Sequence, residues 1–326
     1  MIPPRSLAFW PEGILSADDF VCQWRSVEAA FRQRVKDHAL PEGCAEELAG
    51  IYLPLAAWLH THRQTGLSII GINGAQGTGK TTLCDFVGWL LGELHGDRIA
   101  AFSLDDLYKT RAERALIAHD IHPLFMTRGV PGTHDIGLGL ETLAALATAG
   151  QDSLTALPAF NKAVDDRRPR HDWPMFRGRP DIVLLEGWCV GSMAQPPAEL
   201  TEPVNELERL EDGQGIWRSH VNQQLATDYT RLWDRLDRLV MVTVPDMASV
   251  LEWRTLQETK LAARTTSAAR NGLMSPEAIR RFIMHYERLT RHTLQSLPSR
   301  ADVVLTLDTN HRFAGARINA SDASRA

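Results

Sequence analysis

Gly74-Ala75-Gln76-Gly77-Thr78-Gly79-Lys80-Thr81 satisfies the spacing G-x-x-x-x-G-K-[ST]. The glycines let the backbone turn its N–H groups inward around phosphate oxygens. Lys80 can reach the terminal phosphates of a bound triphosphate, and the Thr81 hydroxyl can ligate Mg²⁺. An apolar segment, Ser68-Ile69-Ile70-Gly71-Ile72, runs into the motif, and a helical pattern through Leu83, Phe86, Val87, Leu90 and Leu91 runs out of it. The helix therefore points its positive end at the anion. A glycine-rich turn matching by accident would not bring this strand and helix with it. The segment is read as a site for a nucleoside triphosphate with Mg²⁺.

Such a site needs carboxylates at the carboxyl ends of neighbouring strands, where a parallel sheet opens its crevice. Two segments offer them. Asp181-Ile182-Val183-Leu184-Leu185-Glu186 is an apolar strand ending in Glu186, a candidate for the Mg²⁺ shell whose plain alternative is a turn cap. Phe102-Ser103-Leu104-Asp105-Asp106-Leu107-Tyr108 follows the second strand. An enzyme that phosphorylates an alcohol must relieve the hydroxyl of its proton, and a carboxylate within hydrogen-bond reach does so. Asp105 is the candidate base and Asp106 a metal-orienting group. The alternative for both is a helix N-cap, where Asp is favoured.

The class of nucleotide enzyme can be narrowed. Asn161-Lys162-Ala163-Val164-Asp165 approaches the guanine-reading N-K-x-D but places Asp one residue late, and no L-S-G-G-Q occurs. Late in the chain a helical pair, about 247–297, carries Arg254, Lys260, Arg264 and Arg270 around a loop containing Gly272. Cations so placed can form a lid over the transferring phosphoryl group and shed water. A solvated helix face is their alternative fate. Arg128, His134, Lys162 and Arg167 fall on segments expected to reach the strand ends, where cations and donors could hold a small acceptor; a loop-fixing hydrogen bond for His134 and a surface position for Lys162 are the alternatives.

These residues must be positioned by strands and helices. Strands are expected over Ser68–Ile72, Arg98–Ser103, Leu154–Pro158, Ile182–Leu185, Leu239–Val244 and Val303–Leu307, with helices over Thr81–Leu94, Arg111–Ala118, Gly137–Ala149, Asn222–Arg235, Met247–Ala263 and Pro276–Leu297. The alternation implies an α/β fold with a mostly parallel, doubly wound sheet covered on both faces. Ser275 before Pro276 reads as an N-cap. Residues 1–65 read as a helical extension, with Trp24, Val27, Ala30 and Phe31 at helical spacing; residues 66–308 form the nucleotide-binding domain. Residues 193–215, rich in Pro and Glu, read as a surface excursion, and 309–326 as a flexible tail.

Composition sets the outer bounds. The chain has 326 residues, 44% hydrophobic, enough for a sizeable core, and a net charge of −5, which gives no field to draw nucleic acid or anionic lipid. Its four cysteines, Cys22, Cys44, Cys84 and Cys189, lack the spacing of a zinc site. The N-terminus shows no leader pattern, and no apolar run approaches the ~18–20 residues of a bilayer span. A soluble, cytoplasmic enzyme with no membrane partner is expected; oligomeric state is left open.

Taken together, the motifs resemble those of the D-glycerate 3-kinase family, within the phosphoribulokinase, uridine kinase and pantothenate kinase superfamily. The resemblance runs over about 65–308. Gly71 to Thr82 resembles that family's P-loop, Gln76 included, and adds Thr82 to the ATP-binding set; Ser103-Leu104-Asp105-Asp106-Leu107-Tyr108 matches S-x-D-D-[FL]-Y. Arg128-Gly129-Val130-Pro131-Gly132-Thr133-His134-Asp135 resembles R-G-x-P-G-T-H-D. Pro158-Ala159-Phe160-Asn161-Lys162-Ala163, with Arg167 downstream, resembles P-x-[FY]-D-K-[AS]. Glu186-Gly187-Trp188 matches E-G-W, and Trp253-Arg254 with Gln257-Glu258 resembles W-R-x-x-Q-E. Asn161 departs from the family's usual Asp. The resemblance implies a P-loop three-layer fold with a helical lid, sheet order 2-3-1-4-5, Asp105 as base, and Lys80 and Arg254 as catalytic cations. It also implies Tyr108, Arg128, His134, Asp135, Lys162 and Arg167 around D-glycerate, phosphorylated on its 3-hydroxyl. The rivals are a sister kinase acting on a nucleoside, a pentose phosphate or a pantothenate-like acid, and a nucleotide-dependent switch without an alcohol acceptor.

Overall fold

The computed structural model of the protein describes residues 3–264 and 274–319, without the side chains of Gln257 and residues 260–264. Its central sheet holds β1 (Ser68–Gly74), β2 (Ile99–Ser103), β3 (Ile182–Gly187), β4 (Arg238–Thr243), β5 (Val303–Leu307) and β6 (Phe313–Ile318). The order is β2-β3-β1-β4-β5-β6, with the first five parallel and β6 antiparallel to β5. The phosphate-loop strand β1 is thus central, in the expected 2-3-1-4-5 arrangement.

The apolar run of β3 explains the layering. Ile182 and Leu184 enter one core; Val183 and Leu185 enter the other. A strand with period-two side chains can be apolar throughout only where both faces are covered. One face packs on α1 (Ala17–Asp37), α2 (Ala45–Thr61) and α3 (Lys80–His95), through Trp24, Phe31, Ile51, Leu55 and Phe86. The other takes α5 (Ile136–Thr148) and part of the last helix through Leu143, Leu146, Tyr286 and Leu289. Between them α4 (Arg111–Asp120) rides outside the sheet, and α6 (Met247–Arg264) and α7 (Pro276–Ser296) form the late helical pair. The Ser275 side chain caps α7 by accepting from Ala278 N. Helices α1 and α2 share one continuous core with Ile70, Val240 and Leu305, so the N-terminal segment is built into the sheet's packing. No described helix is long and apolar enough to cross a membrane.

Three expectations need correction. Leu154–Ala156 is a strand, but it pairs antiparallel with Met175–Arg177 outside the main sheet. Leu154 and Met175 are exposed, and Pro158 cannot donate to a ladder, so the run suits a surface hairpin. The described part of the tail, 309–319, is structured. Asp308 Oδ1 accepts from Asn310 N and Arg312 N, turning the chain so that Phe313–Ile318 covers the edge of β5. The excursion at 193–215 is anchored rather than merely superficial. Glu208 is fully buried and takes Arg288 of α7 on both oxygens, at 2.8 and 2.7 Å, while Arg288 also donates to Glu199 O and Glu202 O.

Candidate active site

At the carboxyl end of β1 the chain enters the phosphate loop. Gly77 and Gly79 have φ of +83° and +82°, a region that L side chains rarely adopt. Space excludes a side chain at Gly77 as well: a Cβ there would fall 2.9 Å from the Trp253 Cβ of α6. Trp253 in turn stacks on His311, with centroids 4.3 Å apart, so α6 and the C-terminal hairpin back the loop. Asn73 donates to Val190 O at 2.7 Å, tying the loop's approach to the turn after β3. The Thr78 hydroxyl donates to Ala75 O at 2.9 Å. Lys80, Thr81 and Thr82 then open α3.

The register of β1 with β3 brings Thr81 to Glu186. The Thr81 hydroxyl donates to Glu186 Oε1 at 2.8 Å, and Glu186 Oε2 is buried with no partner among the described residues. A buried carboxylate oxygen left unpaired is costly unless a cation or donor takes it. A hydroxyl and an open carboxylate oxygen at the mouth of a phosphate loop form a hard-oxygen donor set that fits Mg²⁺.

Asp106, the third expected metal group, is placed otherwise. Its Oδ2 accepts from Ser103 N at 3.0 Å and its Oδ1 from Phe160 N at 3.2 Å. Ser103 and Asp106 form a capping box on the 3₁₀ turn Leu104–Leu107, the N-cap alternative raised from the sequence. Both carboxylate oxygens are spent on backbone donors, so Asp106 shapes the turn that presents Asp105.

Asp105 is the centre of the acceptor side. Its Oδ2 receives Lys162 Nζ at 2.6 Å and its Oδ1 the Tyr108 hydroxyl at 2.8 Å. Burial pushes the carboxyl's pKa up; Lys162 outweighs this, with help from Lys80 and the Tyr108 hydroxyl, and holds it down at about 2. Lys162 sits at the tip of a small hairpin, Phe160–Asn161 paired with Asp166–Arg167, and its side chain is 62% exposed. Burial of its ammonium works against its charge, and Asp105 more than restores it, raising its pKa. Asn161 uses its neutral amide locally, Oδ1 accepting from Ala163 N at 3.0 Å, which forms the turn that aims Lys162.

The remaining expected residues surround this pair. Tyr108 is buried and stacks on His134, centroids 4.6 Å apart. His134 is also buried; burial pushes its imidazole pKa down to about 3, so it is neutral. Arg167 donates to Tyr108 O and to Asp135 Oδ2, at 3.0 and 3.2 Å, and Asp135 also caps α5. Arg128 binds Asp165 Oδ1 and lies over the Phe160 ring. Arg128 and Lys162 thus do not form a ready pair of free cations; each already has a carboxylate. On the lid side, Arg254 pairs with Glu258 at 2.8 Å and lies over Phe282, and Glu258 accepts from Met274 N. Arg270 and Gly272 lie outside the described residues, as do the side chains of Lys260 and Arg264.

Sequence reasoning missed three supports. Arg114 of α4 is fully buried and donates to Met126 O, Asp165 O and Asp165 Oδ2, so it clamps the hairpin that carries Lys162. Asp165 holds a positive φ of 57° and serves both Arg114 and Arg128. Tyr286 of α7 donates to Arg128 O at 3.0 Å. Arg114 lies in the polar stretch Arg111–Asp120, whose pattern gives no sign of a buried guanidinium.

The arrangement combines a triphosphate cradle, a hard-cation donor pair and an ionised carboxylate paired with an exposed cation. No protein-family model matches the chain. It is 31% identical over 226 residues to a Schizosaccharomyces pombe protein described as "Uncharacterized kinase mug58", an alignment covering 67% of this chain and 78% of that one. It is 30% identical over 226 residues to the chloroplastic D-glycerate 3-kinase of Arabidopsis thaliana, covering 67% of this chain and 46% of that protein's length. The solved D-glycerate 3-kinase from Cryptococcus neoformans superposes with a TM-score of 0.68 at 23% identity, over 82% of this chain and 99% of that one.

Proposed function

We propose that this chain, which belongs to the D-glycerate 3-kinase family of P-loop kinases, transfers the γ-phosphoryl group of ATP to the primary hydroxyl of D-glycerate. The observation that carries the reading is Asp105, an ionised carboxylate placed after β2 beside the phosphate loop and already holding a cation and a hydroxyl. Those two bonds have the chemistry an incoming hydroxy acid would present and require.

In this mechanism the backbone N–H groups of Gly74 to Thr82 hold the phosphates, and Lys80 offers its ammonium to the group being transferred. Thr81 and Glu186 would hold Mg²⁺, which supplies neutralisation of charge on the phosphate oxygens. Asp105 accepts the hydroxyl proton as the new bond to the γ-phosphorus forms and the bond from that phosphorus to the bridging oxygen breaks, with ADP as the leaving group. Lys162, on its exposed hairpin tip, exchanges Asp105 for the substrate carboxylate. Its departure from Asp105 removes the charge that depresses the carboxyl pKa, so substrate binding itself makes Asp105 the stronger base. Arg128, with guanidinium donors beyond the one spent on Asp165, completes the carboxylate's anchor. Arg254 acts from the lid helix over the phosphate loop. The acceptor is a small molecule. The chain's mild acidity favours neither nucleic acid nor anionic lipid.

Steady-state ADP release with D-glycerate, L-glycerate, glycerol, uridine and pantothenate side by side tests the reading. D-Glycerate is expected to lead. Glycerol should be poor, because Lys162 and Arg128 would be left without a carboxylate. Strong turnover of uridine or pantothenate with none of glycerate would move the chain to a sister activity. Turnover indifferent to every alcohol would leave it a nucleotide-dependent switch.

A further inference from the structure

Tyr229 lies outside every motif, in a π-helical turn, Leu225–Tyr229, that interrupts the helix running from Ile216 to Trp233. Such turns displace one residue from the ordinary helical register and occur often at functional sites. This one carries a fully buried phenol to the loop Gly132-Thr133-His134. The Tyr229 oxygen accepts from Gly132 N at 3.1 Å and lies 2.5 Å from His134 Nδ1.

The hydrogen-bond inventory fixes which way the second contact runs. A phenol has one hydrogen to give. If His134 Nδ1 carried a proton, both Gly132 N and Nδ1 would donate to the same oxygen, and the buried Tyr229 hydrogen would have no acceptor. With Tyr229 donating to an unprotonated Nδ1, every group in the contact is satisfied. The imidazole's single proton then sits on Nε2. Protonation of both nitrogens is opposed by burial, in agreement with the lowered pKa of His134. Nε2 is buried and has no partner among the described residues. The ring that bears it stacks on Tyr108, whose hydroxyl is bonded to Asp105.

We propose that Tyr229 is a positioning residue for the acceptor site: it locks His134 as the neutral Nε2–H tautomer, so that the imidazole keeps one N–H donor for an oxygen of the hydroxy-acid acceptor beside Asp105. The choice of acceptor rests on the glycerate-kinase reading; the tautomer does not. An unpaired buried donor is costly, and an acceptor oxygen that relieves it gains the difference. The turn at 225–229 thereby contributes to acceptor affinity without touching the acceptor.

The test has a spectroscopic arm and a kinetic arm. In protein labelled with ¹⁵N-histidine, two-bond ¹H–¹⁵N correlations should show His134 protonated on Nε2 and bare on Nδ1, with the resonance assigned by its loss in His134→Phe. A proton on Nδ1, or an imidazolium at neutral pH, overturns the proposal whatever the substrate. In kinetics, Tyr229→Phe should raise KM for D-glycerate about 3- to 10-fold, the worth of one neutral hydrogen bond, while KM for ATP stays within about twofold. His134→Phe, which keeps a stacking ring but no donor, should lose at least as much. His134→Gln, which restores an N–H near the Nε2 position, should recover most of that loss. Equal KM for glycerate in His134→Phe and wild type would make the stack purely structural and overturn the donor role. Should Tyr229→Phe fail to fold, the tautomer spectrum and the Phe–Gln comparison at His134 still decide. Wild-type enzyme inactive on D-glycerate but carrying the Nε2–H tautomer would instead refute the substrate, and the same variants would then be read on the acceptor it does use.

Discussion

The Thr81 hydroxyl and Glu186 Oε1 meet at 2.8 Å although 105 residues separate them in the chain. The pairing of β1 with β3 sets this meeting, since Ile72 lies opposite Glu186 in the ladder. The second Glu186 oxygen is buried with no partner among the described residues, which leaves it open to a cation or a donor.

Glu186→Gln should therefore raise the Mg²⁺ concentration needed for half-maximal rate by about 10–100-fold, the usual cost of disturbing a metal's immediate supports. The fold should survive, because the amide can still accept from Thr81. Rate measured against free Mg²⁺, beside a circular dichroism spectrum, checks this. An unchanged Mg²⁺ dependence would reduce Glu186 to a cap.

Asp105→Asn removes the proton acceptor while keeping the shape. We expect kcat to fall about 10²–10⁴-fold, the range for loss of a general base, with ATP affinity nearly unchanged because the phosphate loop is untouched. Titration with a fluorescent ATP analogue alongside single-turnover rates separates the two quantities. Near wild-type kcat would show that Asp105, like Asp106, only shapes its turn.

Lys162→Met should change the pH profile in a defined direction. Lys162 is the main influence holding the Asp105 carboxyl down at about 2, against burial that pushes it up. Without Lys162 the carboxyl pKa rises. Because the base must be ionised, the acid limb of kcat/KM moves to higher pH, and the variant loses activity in mildly acidic buffer where the wild type keeps it. KM for glycerate should rise more than KM for ATP. An acid limb in the same place as wild type would mean that Lys162 is not electrostatically coupled to the base.

Glu208→Gln tests the anchoring of the segment between β3 and β4. Removing one partner of a buried ion pair leaves Arg288 charged and uncompensated, which typically costs about 3–5 kcal/mol. Urea unfolding should show this loss. If the two-state midpoint is unchanged, the segment does not share the cooperative unit of α7.

Much of this molecule was legible in its residues, and the parts that were not share a cause. The phosphate loop, the strand ending at Glu186 and the two-faced burial of β3 follow from local spacing and period, which one segment can display alone. What Asp106 does depends on Ser103 N and Phe160 N arriving together, and no spacing within Ser103–Tyr108 records the second of them. The same holds for Phe313–Ile318. Its small residues Ala314, Gly315 and Ala316 look like a tail, yet an edge strand needs pairing on only one side and little burial. Nothing in the sequence marks Arg114 or Glu208 as buried, because their partners, Asp165 and Arg288, lie 51 and 80 residues away.

The closeness of Trp253 to Gly77 has an optical consequence. The backbone of the phosphate loop rests against the residue bearing that indole, and the indole stacks on the imidazole of His311. An excited indole is sensitive to the charge and polarity around it. Filling the loop with a triphosphate should therefore alter the surroundings of this one among the chain's nine tryptophans, and the part of the emission lost in Trp253→Phe should serve as a label-free gauge of nucleotide occupancy, readable before any phosphate has been transferred.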